Sequence, residues 1–211
     1  MSLIIKNKIA QLKKGYPTVS DKYNVQGGVY EGDEGLYFGD LVAYGSATGH
    51  YVGFAEAADK ASEPLTVADV AGICLATNVK LVNRYPGDTE NVETVKGEAF
   101  NLLVRGFVAV ALKDSTALTT AKAALVTAEA MPETTQEQKE AKAKAIKDAK
   151  EDIVDAIADM IADAKEGAQV GIDLTTGEFT TDTTNALPGT YFMGVAEAKG
   201  DIVLAEINYR M

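Results

Sequence analysis

From residue 23 to residue 112, short stretches of apolar residues, alternating with polar ones in places and continuous in others, recur between turns, the pattern of a series of strands. Stretches 25–30, 36–44, 50–55, 70–75, 92–96 and 100–112 are rich in β-branched, aromatic or alternating apolar residues, and each reads as a strand. Turn chemistry separates them. Gly27-Gly28, Glu31-Gly32-Asp33, Gly45-Ser46, Thr48-Gly49 and Pro86-Gly87-Asp88 supply the positive or fixed φ values that reversals need. Residues 64–69 read as a loop, with one helical turn as the alternative.

The texture changes at Asp114. Residues 117–165 contain no glycine and one proline, Pro132, between two alanine-rich stretches whose apolar positions recur at helical spacing. Leu118, Ala121, Leu125 and Ala128 form the stripe of a first helix, with Asp114 or Ser115 as its cap. Thr134 with Glu137, or Thr135 with Gln138, offers a capping box for a second. Ile146, Ile153, Ile157, Met160 or Ile161, and Ala164 form the second stripe, and Gly167 stands where a C-terminal cap is expected. Such narrow, alanine-rich stripes hide only a few kcal/mol of apolar surface at ~25 cal/mol per Å², so the hairpin is expected to lean on the β domain or a neighbour.

Strand chemistry then returns. Stretches 169–174 and 178–181 flank Thr175-Thr176-Gly177, and 190–197 and 202–209 flank a turn holding Gly200. Gly53-Phe54-Ala55-Glu56-Ala57 and Gly194-Val195-Ala196-Glu197-Ala198 echo each other, a likeness short enough for chance. The fold class expected is mainly β, a small sandwich or barrel of short antiparallel strands, with an inserted α-helical hairpin, α+β overall. The division expected is a basic N-terminal arm at 1–22, a discontinuous β domain at 23–114 and 167–211, and the hairpin at 115–166.

Charge divides the chain the same way. The formal net charge is -11, yet residues 1–22 carry five lysines against Asp21, a side-chain balance of +4 that leaves -15 for the rest. An acidic body argues against nucleic acid or an anionic membrane as partner, because phosphates need concentrated Lys and Arg. Ile5, Ile9 and Leu12 recur at helical spacing beside the lysines, so the arm reads either as a solvated amphipathic helix or as a segment that grips an acidic neighbour. Gly15, Tyr16 and Pro17 would be its hinge.

The remaining candidates for chemistry are sparse. Cys74 is the one cysteine, in an apolar run that favours a buried thiol, and synthesis in a reducing compartment is expected. No secretory signal is visible, and the longest apolar run, 107–112, is far too short to span a bilayer. The single His50 has no second His or nearby Cys, which excludes a usual zinc site; for a Ser-His-Asp arrangement Ser46 and Asp40 are mere sequence neighbours, and no Gly-x-Ser-x-Gly elbow accompanies them. Residues 45–50 resemble a phosphate loop only superficially, lacking the lysine and the following helix. Asp88, Glu90 and Glu93, or Asp173, Glu178 and Asp182, lack EF-hand spacing and read as solvated acidic loops. The absence of Trp leaves sugar stacking to tyrosines such as Tyr37, Tyr44 and Tyr51. No cofactor or metal is expected.

Three phrases carry a resemblance. They are Gly35-Leu36-Tyr37-Phe38-Gly39-Asp40-Leu41-Val42, the run from Lys96-Gly97-Glu98 through Arg105-Gly106-Phe107 to Val110, and Gly189-Thr190-Tyr191-Phe192-Met193-Gly194-Val195-Ala196-Glu197. In this order they resemble the cement, or decoration, proteins of tailed-bacteriophage capsids, over residues 23–113 and 168–211. The helical hairpin departs from the compact members. The resemblance implies a non-enzymatic virion protein on the outer capsid surface, assembled in the bacterial cytoplasm. It would bind junctions between major capsid protein subunits, often as a homotrimer. The arm, with Ile4, Ile5, Lys6, Lys8, Ile9, Lys13 and Lys14, is the capsid contact expected from its charge opposition to the body. The alternatives are a head-fibre or carbohydrate-binding adhesion module, and a hydrolase using His50 or Asp173.

Overall fold

The structure, a computed structural model, describes Leu12, Lys14, Gly15, residues 24–75 and residues 93–210. Strands occupy 39% of the chain and helices 30%, which makes it mainly β with a substantial helical part, α+β in class.

Eleven strands are found among the described residues: β1 (Asn24–Tyr30), β2 (Leu36–Tyr37), β3 (Leu41–Tyr44), β4 (His50–Gly53), β5 (Val70–Leu75), β6 (Glu93–Thr94), β7 (Ala99–Ala111), β8 (Gln169–Ile172), β9 (Phe179–Thr180), β10 (Ala186–Lys199) and β11 (Ile202–Arg210). Nine join one sheet in the order β1-β4-β3-β5-β7-β11-β10-β8-β9, and β1 also pairs with β7. That extra pairing closes β1, β4, β3, β5 and β7 into a five-stranded ring. Closure removes the free edges that invite aggregation. The pairs are antiparallel except β1–β4, which is parallel, so the sheet is mixed where short antiparallel strands alone were expected.

A second ring shares β7. The later half of β7 pairs with β11, from Arg105 opposite Arg210 to Ala111 opposite Leu204. Strands β11, β10, β8 and β9 follow in order, and Leu112, just beyond β7, bridges back to Phe179 of β9. The Lys113 N–H donates to the Phe179 carbonyl at 2.7 Å and seals this seam. One long strand therefore serves two rings. It leaves the first and enters the second at Gly106, whose φ of 146° lies where a side chain is strained.

Apolar alternation sends one set of side chains into a continuous core through both rings. Ile73, Leu103, Val108, Val110, Val203 and Ile207 are all fully buried there. The opposite face of the first ring is also covered, because Tyr30, Phe38, Tyr51, Cys74 and Phe100 pack into a separate cluster. Cys74 is buried as its apolar surroundings suggest.

Three helices complete the described residues: α1 (Phe54–Lys60), α2 (Thr116–Glu129) and α3 (Gln136–Asp163). Helix α1 replaces the last part of the strand expected at 50–55. Phe54 is buried in the core, and the Ala-Glu-Ala-Ala-Asp-Lys run that follows has strong helix formers. The expected loop at 64–69 contains a 3₁₀ turn at Val67–Asp69, closed by a Thr66–Asp69 capping box. Gly27-Gly28, expected as a reversal, lies inside β1 opposite Asn101 and Phe100. The hairpins at Gly49, Gly177 and Gly200 have the positive φ their turns require. Residue 92, the turn at 86–88, and Tyr16 and Pro17 lie outside the described residues.

Helices α2 and α3 fall within 115–166 and connect β7 to β8. Ser115 Oγ accepts from the Leu118 N–H at 3.1 Å, and of the two boxes considered, Thr135 with Gln138 is the one formed. Helix α3 ends at Asp163 with Ala164 as its cap, so Gly167 belongs to the following turn, where its N–H donates to the Phe192 carbonyl at 2.9 Å. The root of α3 enters the common core through Ala156, Met160 and Ala164, beside Leu118 of α2. The hairpin thus leans on the β body at its root.

Candidate interaction surfaces

The one stretch of the basic arm within the described residues is docked on the sheet. Ala109 of β7 and Leu204 of β11 point away from the common core, and their faces pack with Leu12, which is 1% exposed. Ala111 and Val195 flank it. The backbone holds the same register: the Leu12 N–H donates to Glu197 Oε1, and the Gly15 N–H donates to the Ala109 carbonyl at 2.8 Å. Gly15 has φ 74°, and a Cβ there would lie 2.5 Å from the Gly39 nitrogen, so this approach needs glycine.

Lys14 reaches sideways to Asp40 at 2.6 Å. The other oxygen of Asp40 accepts from the Tyr37 N–H at 2.9 Å, fixing the turn between β2 and β3. Of the expected capsid contacts, Lys14 is thus engaged within its own chain and about one-third exposed. Ile4, Ile5, Lys6, Lys8, Ile9 and Lys13 lie outside the described residues. Leu12 is not helical, so the amphipathic spacing does not extend to it.

A cavity of about 190 Å³ lies where the two rings meet, lined by Lys14, Asp40, Tyr30, Glu56 and Phe179 among others. Glu56 of α1 is 3% exposed, and its carboxylate is saturated. It accepts from the Asp33 N–H at 2.8 Å, the Glu34 N–H at 3.2 Å, the Tyr30 hydroxyl at 3.2 Å and the Lys60 ammonium at 2.5 Å. Burial pushes its pKa up, but these donors together outweigh burial and hold it below the ordinary value. Burial and the Glu56 charge raise the Tyr30 phenol far above its usual range. A satisfied acid beside a phenol held in its neutral form is an anchor for the 31–34 loop, which Lys60 and Lys96 secure further through Asp33 at 2.8 and 2.6 Å.

His50 opens β4 and faces Glu31, its Nδ1 3.2 Å from Oε2. Ser46 Oγ donates to the same Oε2 at 2.8 Å, and the Ser46 N–H donates to Oε1. Serine and histidine thus both address one carboxylate, and the serine proton is committed to the acid. A nucleophile must hand that proton to the histidine, so the arrangement braces the β3–β4 turn. The Ser46 backbone bond, foremost, lowers the Glu31 pKa.

At the hairpin root a larger cavity of about 600 Å³ is lined by Lys113, Ser115, Met160, Asp173, Asp182 and Asn185, with others. Lys113 pairs with Asp173, whose second oxygen accepts from the Thr175 and Thr176 N–H groups at 2.7 and 3.1 Å. The Lys113 hydrogen bond, then these backbone donors, hold Asp173 at a pKa of about 2. Lys122 of α2 reaches Asp114 at 2.6 Å and Asp201 at 3.3 Å, tying the hairpin to the β10–β11 turn. Among the described residues no three His, Cys, Asp or Glu gather in a metal-ligand set. No helix among them is long and apolar enough to cross a membrane.

The row of exposed tyrosines is not formed. Tyr37 and Tyr44 are 39% and 66% exposed, but Tyr51 is 6% exposed and stacks edge-on to Phe100 at 5.8 Å. The three phrases of the resemblance lie in β2–β3, β7 and β10. Sequence reasoning missed Leu12, Glu56 and Glu197 as anchoring residues. Leu12 shows in the sequence only as part of an amphipathic stripe, and Glu56 and Glu197 only within the five-residue echo; each of the two acids accepts a backbone N–H from a distant segment, although one sits on a helix and the other on a strand. No family model matches the chain, and no curated protein matches it by sequence.

Proposed function

We propose that this chain is a structural protein of a tailed-phage virion, which binds the outer capsid surface at junctions between major capsid protein subunits and stabilises the head. The observation that carries the reading is the anchored root of the leader. Leu12 and Gly15 fasten it to the later half of the shared strand, at Ala109, and the residues ahead of that anchor combine Lys6 and Lys8 with Ile4, Ile5 and Ile9. A cationic, aliphatic segment on a rigid acidic body is suited to gripping an acidic protein surface. The protein acts as a homotrimer, without catalysis, and lattice repetition multiplies a contact of only ~800 Å² per protomer into strong collective hold.

Mass spectrometry of heads purified from the encoding phage tests the reading. The expected result is this protein in stoichiometric proportion to the major capsid protein, and its absence from the heads overturns the reading. Removing residues 2–11 while keeping Leu12 in place isolates the leader: head occupancy should fall to background with the body still folded. Unchanged occupancy would exclude the leader as the contact.

A further inference from the structure

Helix α3 is charged in an order that a lone helix would not choose. Residues 136–150 carry five lysines against three carboxylates, whereas 151–163 carry five carboxylates and no lysine or arginine. The acidic half is C-terminal, where the helix dipole favours cations, and its last turn holds no basic residue. Glu151, Asp155, Asp159 and Asp163 also stand four apart, so like charges are neighbours on one line. All four are exposed.

The same side of α3 leaves an apolar surface uncovered. Val154 is 64% exposed, although Ile153 and Ala156 beside it pack inward. A shallow groove of about 590 Å³ runs along this face, lined by Ala143, Ile146 and Val154 between Lys147 and Lys150 on one side of the midpoint and Asp155 on the other. Lys147 has an intrahelical partner, Glu151, at 3.6 Å, but both side chains remain largely exposed and free to take a second.

We infer that this face of α3 docks antiparallel on the same face of a second copy of the chain, across a two-fold axis near the helix midpoint. Antiparallel pairing lays each lysine-bearing half along the other's acidic half and covers both Val154 side chains. Parallel pairing would set lysine against lysine and acid against acid. At the usual helix separation of ~8–10 Å, lysine side chains span the gap to the opposing carboxylates. The contact is isologous, so one patch serves both partners. It stands independently of the capsid reading, and in a homotrimer this two-fold contact would join protomers of two different trimers.

Charge-swapped variants of the full chain test it by sedimentation at low salt. Lys147→Glu with Lys150→Glu makes the charged lining of the groove wholly acidic; Glu151→Lys with Asp155→Lys makes it wholly basic. Each variant alone should associate roughly 100-fold more weakly than wild type, since the cross-helix pairs around the groove become repulsive. An equimolar mixture should recover the association through unlike copies, and raising salt tenfold should weaken wild-type association roughly 10-fold. Circular dichroism confirms folding of each variant, whose changes are all at exposed positions. A wild-type chain that stays monomeric at ~1 mM and low salt overturns the inference on affinity grounds. An oligomer whose mass is the same for wild type, both variants and their mixture overturns it equally.

Discussion

Two adjacent glycines in β1 face opposite demands. A Cβ on Gly28 would lie 2.5 Å from the Tyr51 ring, itself wedged against Phe100, whereas a Cβ on Gly27 would meet nothing within 4 Å. Gly28→Ala is expected to cost about 1–3 kcal/mol by overpacking. Gly27→Ala should be neutral or stabilise by about 0.5 kcal/mol through the unfolded chain. Urea midpoints of the two variants check the contrast. In sequence the pair reads as a reversal, because nothing local announces a ring that arrives from β4 to fill the space. Asp173 supplies a pH dependence. Its folded pKa of about 2 lies below the ordinary 3.8, so the stabilisation is full above about pH 4 and disappears as pH falls through 2. With allowance for solvent screening, Asp173→Asn should lower stability by about 1–2 kcal/mol at pH 7. That difference from wild type should close near pH 2 in denaturation measured across pH.

The inserted hairpin behaves differently at its two ends. Met160, at the root, is 4% exposed in the common core, so Met160→Ala should cost about 2–4 kcal/mol in global stability. Thr135, at the tip, contacts only the start of its own helix, and Thr135→Ala removes a cap worth about 1 kcal/mol. Local opening confines that loss, so amide exchange over 136–148 should quicken while the global midpoint stays unchanged. Elements of this kind were legible because period and caps are local: the hairpin, its Ser115 cap and the strands β5, β7 and β11 follow from residues within one or two turns. Helix α1 was not, since the apolar run through β4 continues into Phe54 without a break. The leader's dock was illegible for a different reason. Leu12 and its acceptor Glu197 are 185 residues apart, and neither the pairing nor the outward turn of Ala109 and Leu204 leaves a mark on nearby sequence.

At the scale of the whole molecule, both rings use β7, and the common core runs through them. They are therefore expected to melt together, with calorimetric and van't Hoff enthalpies in agreement and a single transition by every probe. Leu12→Asp should leave that transition in place, since the sheet beneath is held by its own ladder, but free the leader, which limited proteolysis would report as a new cut near Gly15. The placement of Gly15 on Ala109 has a mechanical corollary. Tension arriving through the leader enters the molecule on β7 where β11 pairs alongside it, from Arg105 to Ala111, and a strand pulled along its length must slip such bonds together instead of peeling them singly. A load applied there is passed to the one strand that both rings share.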